Sequence, residues 1–228
     1  MKGAFALSVI LTSFLLYGCA SKAYEPLKTE QKDTFVTSEN GSTITVKDMM
    51  ILEDGWDNQL RLITRQDTAN LAAAKTIQAI SGVLLRFGGS INGFDKNDLK
   101  GSLIFTQPNP VKYYLTPKII EVIKIEMERR PKQSYQYTVN VIPDEWRLVY
   151  KNLAGGDDNY QLTLNISFTY VAKDRRQEFT CSSEKFNPKE YTLPDWQANN
   201  YEKVTEVSHQ IMDRCAQEFA KNTSAFIF

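Results

Sequence analysis

The sequence predicts an α+β fold: an antiparallel β-meander with helices packed on one face and a long helix at the C-terminus. Two observations carry that prediction. Trp146, Leu148 and Tyr150 alternate with Arg147, Val149 and Lys151, and Leu162, Leu164, Ile166, Phe168 and Tyr170 alternate with Thr163, Asn165, Ser167, Thr169 and Val171. A period of two over such lengths belongs to strands with one apolar and one mostly polar face. Beyond residue 198 the spacing changes to three and four, placing Tyr201, Val204, Ser208, Ile211, Cys215 and Phe219 on one stripe of a helix that covers the apolar face.

The chain opens on Lys2 and an uncharged apolar stretch over residues 4–17, ending in Gly18-Cys19. This reads as a secretory signal with a cleavage site, and it is too short for a comfortable spanning helix. The run Leu16-Tyr17-Gly18-Cys19 resembles the lipobox of bacterial lipoproteins, with a small residue before a cysteine; Tyr17 is bulkier than that family usually carries. The resemblance is confined to the leader. It implies a signal peptide over residues 1–18 and a Cys19 bearing S-diacylglycerol and an N-acyl chain such as palmitate. The partner so implied is a membrane, met through the acyl chains. Each buried acyl CH₂ contributes ~0.8 kcal/mol, and one chain alone holds only marginally. In such lipoproteins an aspartate after the cysteine favours the inner membrane, so Ala20 points to the periplasmic face of the outer membrane.

The remaining elements follow in order. Residues 19–32 are polar and aperiodic, a tether. Phe35-Val36-Thr37 and Thr43-Ile44-Thr45-Val46 flank Asn40-Gly41, a hairpin signal. Residues 49–62, with Trp56, carry no assignable pattern. Asp67 or Thr68 opens an apolar, alanine-rich helix to residue 87, closed by Gly88-Gly89. Its composition demands burial, as core or as a docking surface, and Lys75, Gln78 and Arg86 oppose membrane insertion. Residues 91–110 hold Gly93, Gly101, Pro108 and Pro110 and read as loop. Asp95-Lys96-Asn97-Asp98 within them lacks the glycine and terminal glutamate of a calcium loop. Thr116 as N-cap and Pro117 at the first helical position start a helix with Ile119, Ile120, Ile123 and Met127 on one face, stopped by Pro131. Residues 135–142 suggest a strand ended by Pro143. Residues 33–228 make a single α+β domain, with 131–134 as the alternative subdomain boundary.

Beyond Cys19 two cysteines remain, Cys181 and Cys215. In an exported chain they most simply form one disulfide, which would staple the last strand of the meander to the C-terminal helix; the alternative is two free buried thiols. Closing a loop of about 33 residues is worth roughly 3–4 kcal/mol.

Composition excludes more than it nominates. The formal net charge is zero, which gives no electrostatic case for nucleic acid. No elbow, phosphate loop or zinc signature is present, and no cofactor or metal is implied. His209, the one histidine, sits between Ser208 and Gln210 as a surface or boundary residue. Asp54/Asp57 and Asp157/Asp158 neighbour glycine and asparagine, as turn residues do. Tyr135, Tyr137, Tyr191, Trp196 and Tyr201 are candidate binding aromatics or core caps. The expected function is a lipid-anchored envelope protein, a non-enzymatic interaction or assembly module. The alternative is an envelope enzyme acting on glycan or peptide through dispersed carboxylates.

Overall fold

The computed structural model describes residues 29–51, 58–67, 101–131, 134–151, 158–173, 175–186 and 189–226. In chain order the elements are β1 (Thr29–Thr37), β2 (Thr43–Ile51), β3 (Gln59–Ile63), β4 (Ser102–Pro108), and a π-turn (Val111–Leu115) running into α1 (Thr116–Arg129). Then come β5 (Gln136–Tyr150), β6 (Asn159–Ala172), β7 (Arg175–Ser182), a 3-10 turn (Ser183–Phe186), β8 (Glu190–Thr192) and α2 (Leu193–Phe226).

The α+β prediction holds. One eight-stranded sheet is built on the long antiparallel pair β5 and β6. The free edge of β5 receives β2 and β3 end to end, both parallel to it, and these carry β1 and β4 antiparallel on their outer sides. The free edge of β6 receives β7 and β8 end to end, both antiparallel. The meander β5–β6–β7 is therefore as expected, whereas the two parallel pairings follow from long crossovers that local patterning does not encode.

The apolar residues of both alternations are buried, but burial itself does not alternate over 146–150 and 166–170, where Arg147, Val149, Ser167 and Thr169 of the other face are buried as well. Trp146, Leu148, Tyr150, Leu162, Leu164, Ile166 and Phe168 are all buried, and they lie beneath α1 and α2. Both buried indoles find partners: Trp146 Nε1 donates to Ser208 Oγ on α2 at 2.9 Å, and Trp196 Nε1 donates to the Tyr160 carbonyl at 3.0 Å. Ile119, Ile123 and Met127 form the buried stripe of α1, while Val204, Ser208, Ile211, Cys215 and Phe219 form that of α2. Each residue of that α2 stripe was legible from the spacing.

Several boundaries differ from expectation, each for a local reason. β1 begins at Thr29, inside the stretch read as tether, because residues 29–32 pair with residues 48–51 of β2. Pro143 does not end its strand: β5 runs through it, and a bulge between Pro143 and Glu145 absorbs the missing donor. β2 and β3 occupy much of the unassigned 49–62 stretch, and β4 lies in the expected loop. Gly101 precedes β4 at φ +45°, where an added Cβ would stand 2.3 Å from the Leu62 carbonyl oxygen, so the glycine belongs to this close approach. The expected hairpin turn forms at Asn40-Gly41, with Gly41 at φ +81° and Asn40 Oδ1 accepting from the Ser42 amide at 3.0 Å.

The helix starts also move. Thr64 caps a helical turn three residues before the expected position, with Asp67 Oδ2 accepting from both Thr64 N and Thr64 Oγ1 at 2.7 Å. Thr116 does not act as an N-cap, because the π-turn feeds directly into α1 and gives Thr116 helical dihedrals. The helix expected from residue 198 begins at Leu193 and is interrupted: Ala198 is extended, and Asn199, Asn200 and Tyr201 have φ of 50°, 55° and 63°. Left-handed backbone suits asparagine better than tyrosine. Gln107 Nε2 on β4 donates to the Asn200 carbonyl at 2.8 Å and ties the interruption to the sheet. Among the described residues no helix is long and apolar enough to cross a membrane.

Candidate functional site

The covalent candidates come first. Cys181 ends β7 on the helix-facing side and Cys215 lies in the middle of the buried α2 stripe, and the two are joined by a disulfide with Cα atoms 5.7 Å apart. Both sulfurs are buried, so the bond is a staple between sheet and helix and not an exposed redox couple. Cys19, the expected lipid acceptor, lies outside the described residues, as do residues 68–87, Asp54, Asp57, Asp157 and the 95–98 segment.

Sequence reading missed a polar joint between the helices. His209 of α2 stacks on Tyr114 of the π-turn with ring centroids 3.7 Å apart and planes within 4°. Lys118 Nζ stands 4.3 Å from the Tyr114 ring centroid and donates to Asp213 Oδ1 at 2.6 Å. Tyr114 Oη donates to Asp213 Oδ2 at 3.2 Å. One carboxylate on α2 thus holds a phenol and an ammonium from the π-turn and α1. The signal was present as two pairs at helical spacing, Tyr114/Lys118 and His209/Asp213, but nothing in sequence places the pairs opposite each other. Burial holds the His209 imidazole below its ordinary value; Asp213 pulls it up and Lys118 pushes it further down. The half-buried position matches the boundary role expected of this histidine.

Two carboxylates stand out by burial. Asp48 shares its face of β2 with the buried Ile44 and Val46, beneath α1. Burial raises its pKa, against the opposing influence of the Thr116 hydroxyl, Lys112 and Lys32. The Thr116 hydroxyl itself is buried and reaches hydrogen-bond geometry with no group. Asp144, at the bulge of β5, accepts from Ser167 Oγ, and burial raises its pKa as well. Ser167 alternates with Ile166 and Phe168, so Asp144 lies on the face of the sheet away from the helices, opposite to Asp48. The two raised carboxylates are therefore separated by the sheet and do not form an acid–base pair. Asp158, the described member of its pair, is exposed and lies 3.6 Å from Arg65, as a solvated turn residue.

The aromatic candidates divide into two groups. Tyr135 meets Tyr137 edge-on at 6.0 Å, and Tyr137 meets Tyr170 at 5.0 Å; Tyr135 is buried and donates to the Arg130 carbonyl. At the other end of the sheet Tyr191 meets Trp196 edge-on at 5.1 Å, with Lys203 Nζ 4.0 Å from the Tyr191 centroid. Tyr201 is half-buried in the interruption of α2. Tyr135 and Trp196 are core caps, not an open binding surface. Among the described residues no group of three or more histidine, cysteine or carboxylate side chains is placed to hold a metal ion.

No known family and no curated protein matches this chain. The 2.35 Å crystal structure of a minor lipoprotein from Acinetobacter baumannii superposes on 47% of this chain and 82% of its own, at 15% identity and a TM-score of 0.31. A likeness at that level bears on neither the fold nor the function of this chain.

Proposed function

We propose that this chain is a lipid-anchored bacterial envelope lipoprotein, held by acyl groups on Cys19, whose folded body is a non-enzymatic interaction or assembly module. The observation that carries this reading is the uncharged apolar leader ending in Leu16-Tyr17-Gly18-Cys19. The Cys181–Cys215 disulfide supports export to an oxidising compartment. The body faces the periplasm, and Ala20 favours the outer membrane over the inner. Among the described residues, Asp213 holds Tyr114 and Lys118 of the π-turn and α1, and the two raised carboxylates lie on opposite faces of the sheet. The deciding experiment is metabolic labelling with alkyne palmitate. The wild-type chain takes up label and the Cys19→Ser variant does not; equal labelling of both would end the reading.

A further inference from the structure

We propose that the body of this protein touches the bilayer that anchors it, through Tyr113 on the π-turn beside the start of β1, with Lys112 at its rim. The inference rests on acylation at Cys19. From Cys19 to Thr29 there are ten Cα steps, a reach of at most ~36 Å in any conformation. The chain enters β1 at Thr29, so this end of the strand is the part of the sheet nearest the acyl chains along the chain, and the opposite end lies up to ~30 Å further on. One residue later, Glu30 accepts from Lys112 Nζ at 2.6 Å, which fixes the π-turn against this end of β1. Tyr113 projects from the same turn, its ring centroid 5.9 Å from Lys112 Nζ, and is 72% exposed.

A tyrosine with an apolar body and a polar tip is suited to the water–bilayer boundary, where lysines keep their ammonium groups among headgroups. One ring binds a membrane weakly on its own. The tether supplies what the ring lacks, because anchoring turns the contact into an intramolecular one at millimolar effective concentration. The near-neutral chain needs no anionic lipid for this, since the lysine closest to the ring is already paired with Glu30. Phe35 is nearly as exposed, at 67%, yet it belongs to a different surface. It lies six residues further along β1, roughly 20 Å from Thr29. It also points to the face away from the helices, since Val36 beside it is core.

The test uses the full chain in the native envelope, fed alkyne palmitate, with the photoreactive p-benzoylphenylalanine replacing either Tyr113 or Phe35. On irradiation the expected product is a phospholipid adduct at position 113 that phospholipase trims, in roughly tenfold or greater excess over position 35. Palmitate on Cys19 with only protein adducts, or none, at position 113 overturns the contact and leaves the lipoprotein reading standing. Equal lipid adducts at both positions also overturn it, because the body then presents no fixed face. Absence of palmitate from Cys19 fells both readings together, and it is read separately in the same sample.

Discussion

Removing the disulfide is the perturbation whose size the structure fixes best. Cys181 and Cys215 are 34 residues apart. The chain-entropy relation for such a loop gives about 12.6 cal/mol/K, or about 3.8 kcal/mol at 25 °C, lost from the stability of the folded state when the cross-link is absent. Alanine is the better replacement, because both positions are buried and a serine hydroxyl there would add roughly 1–3 kcal/mol of unsatisfied desolvation. The double variant Cys181→Ala/Cys215→Ala is therefore expected to lose about 4 kcal/mol in urea unfolding. Its m-value should rise, since the unlinked denatured chain exposes more surface. Wild-type protein unfolded in reductant should match the variant within ~1 kcal/mol, because the sulfurs otherwise only fill the core. A loss below ~1 kcal/mol in both would refute the argument that the bond acts by constraining the unfolded chain across β7 and α2. Native protein should also resist reduction until it unfolds, given that neither sulfur is exposed.

Two titrations follow from burial. The one histidine gives an isolated imidazole signal in NMR, and its midpoint should fall below the ordinary value of 6.5. Because the folded state binds that proton less readily than the unfolded chain, the associated stability is present above 6.5 and is lost as pH falls toward the folded value. His209→Phe keeps a ring on Tyr114 but cannot protonate, so this slope should disappear from thermal unfolding; an unchanged slope would show that another group sets it. Asp48 has the opposite sense. Its raised pKa means that the folded state holds its proton more tightly, so the wild type loses stability as pH rises from 3.8 through the folded value. Asp48→Asn should gain stability relative to wild type over that interval and keep the gain at neutral pH. A variant that is equally destabilised at low and neutral pH would show that the carboxylate is held by contacts and not penalised by burial.

Among the described residues, what depended on a repeating pattern was legible in the sequence; the helix expected over residues 68–87 lies outside them. The alternations of residues 146–151 and 162–171 and the α2 stripe fixed the face, the order and the partners of the meander, and both cysteines fell on facing elements. What failed depended on one residue being outweighed by its surroundings. Pro143 reads as a strand end, yet β6 pairs with residues on both sides of it and the ladder closes over a bulge. Gly101 and Pro108 read as loop, yet they bound a strand that exists only because β3 offers it an edge. Thr116 reads as a cap, yet the preceding π-turn supplies the carbonyls that accept from amides a cap would otherwise satisfy, as Val111 does for Thr116 N.

The same contrast explains why the joint at Asp213 was invisible. Its members are ordinary at their own positions: a lysine and a tyrosine near the start of one helix, a histidine and an aspartate on another. They become a unit only because α1 and α2 cover the same face of the sheet, an arrangement set by the apolar stripes and not by the polar residues themselves. Once the stripes meet, Asp213 has no better use than to accept from Tyr114 and Lys118, and His209 is pressed flat on the ring those contacts hold. Apolar packing thus decides where the helices go, and the polar cluster decides how firmly they stay in register. The pH dependence contributed by His209 should accordingly be read at this joint, while overall stability is read at the disulfide, whose Cys215 lies within the buried α2 stripe.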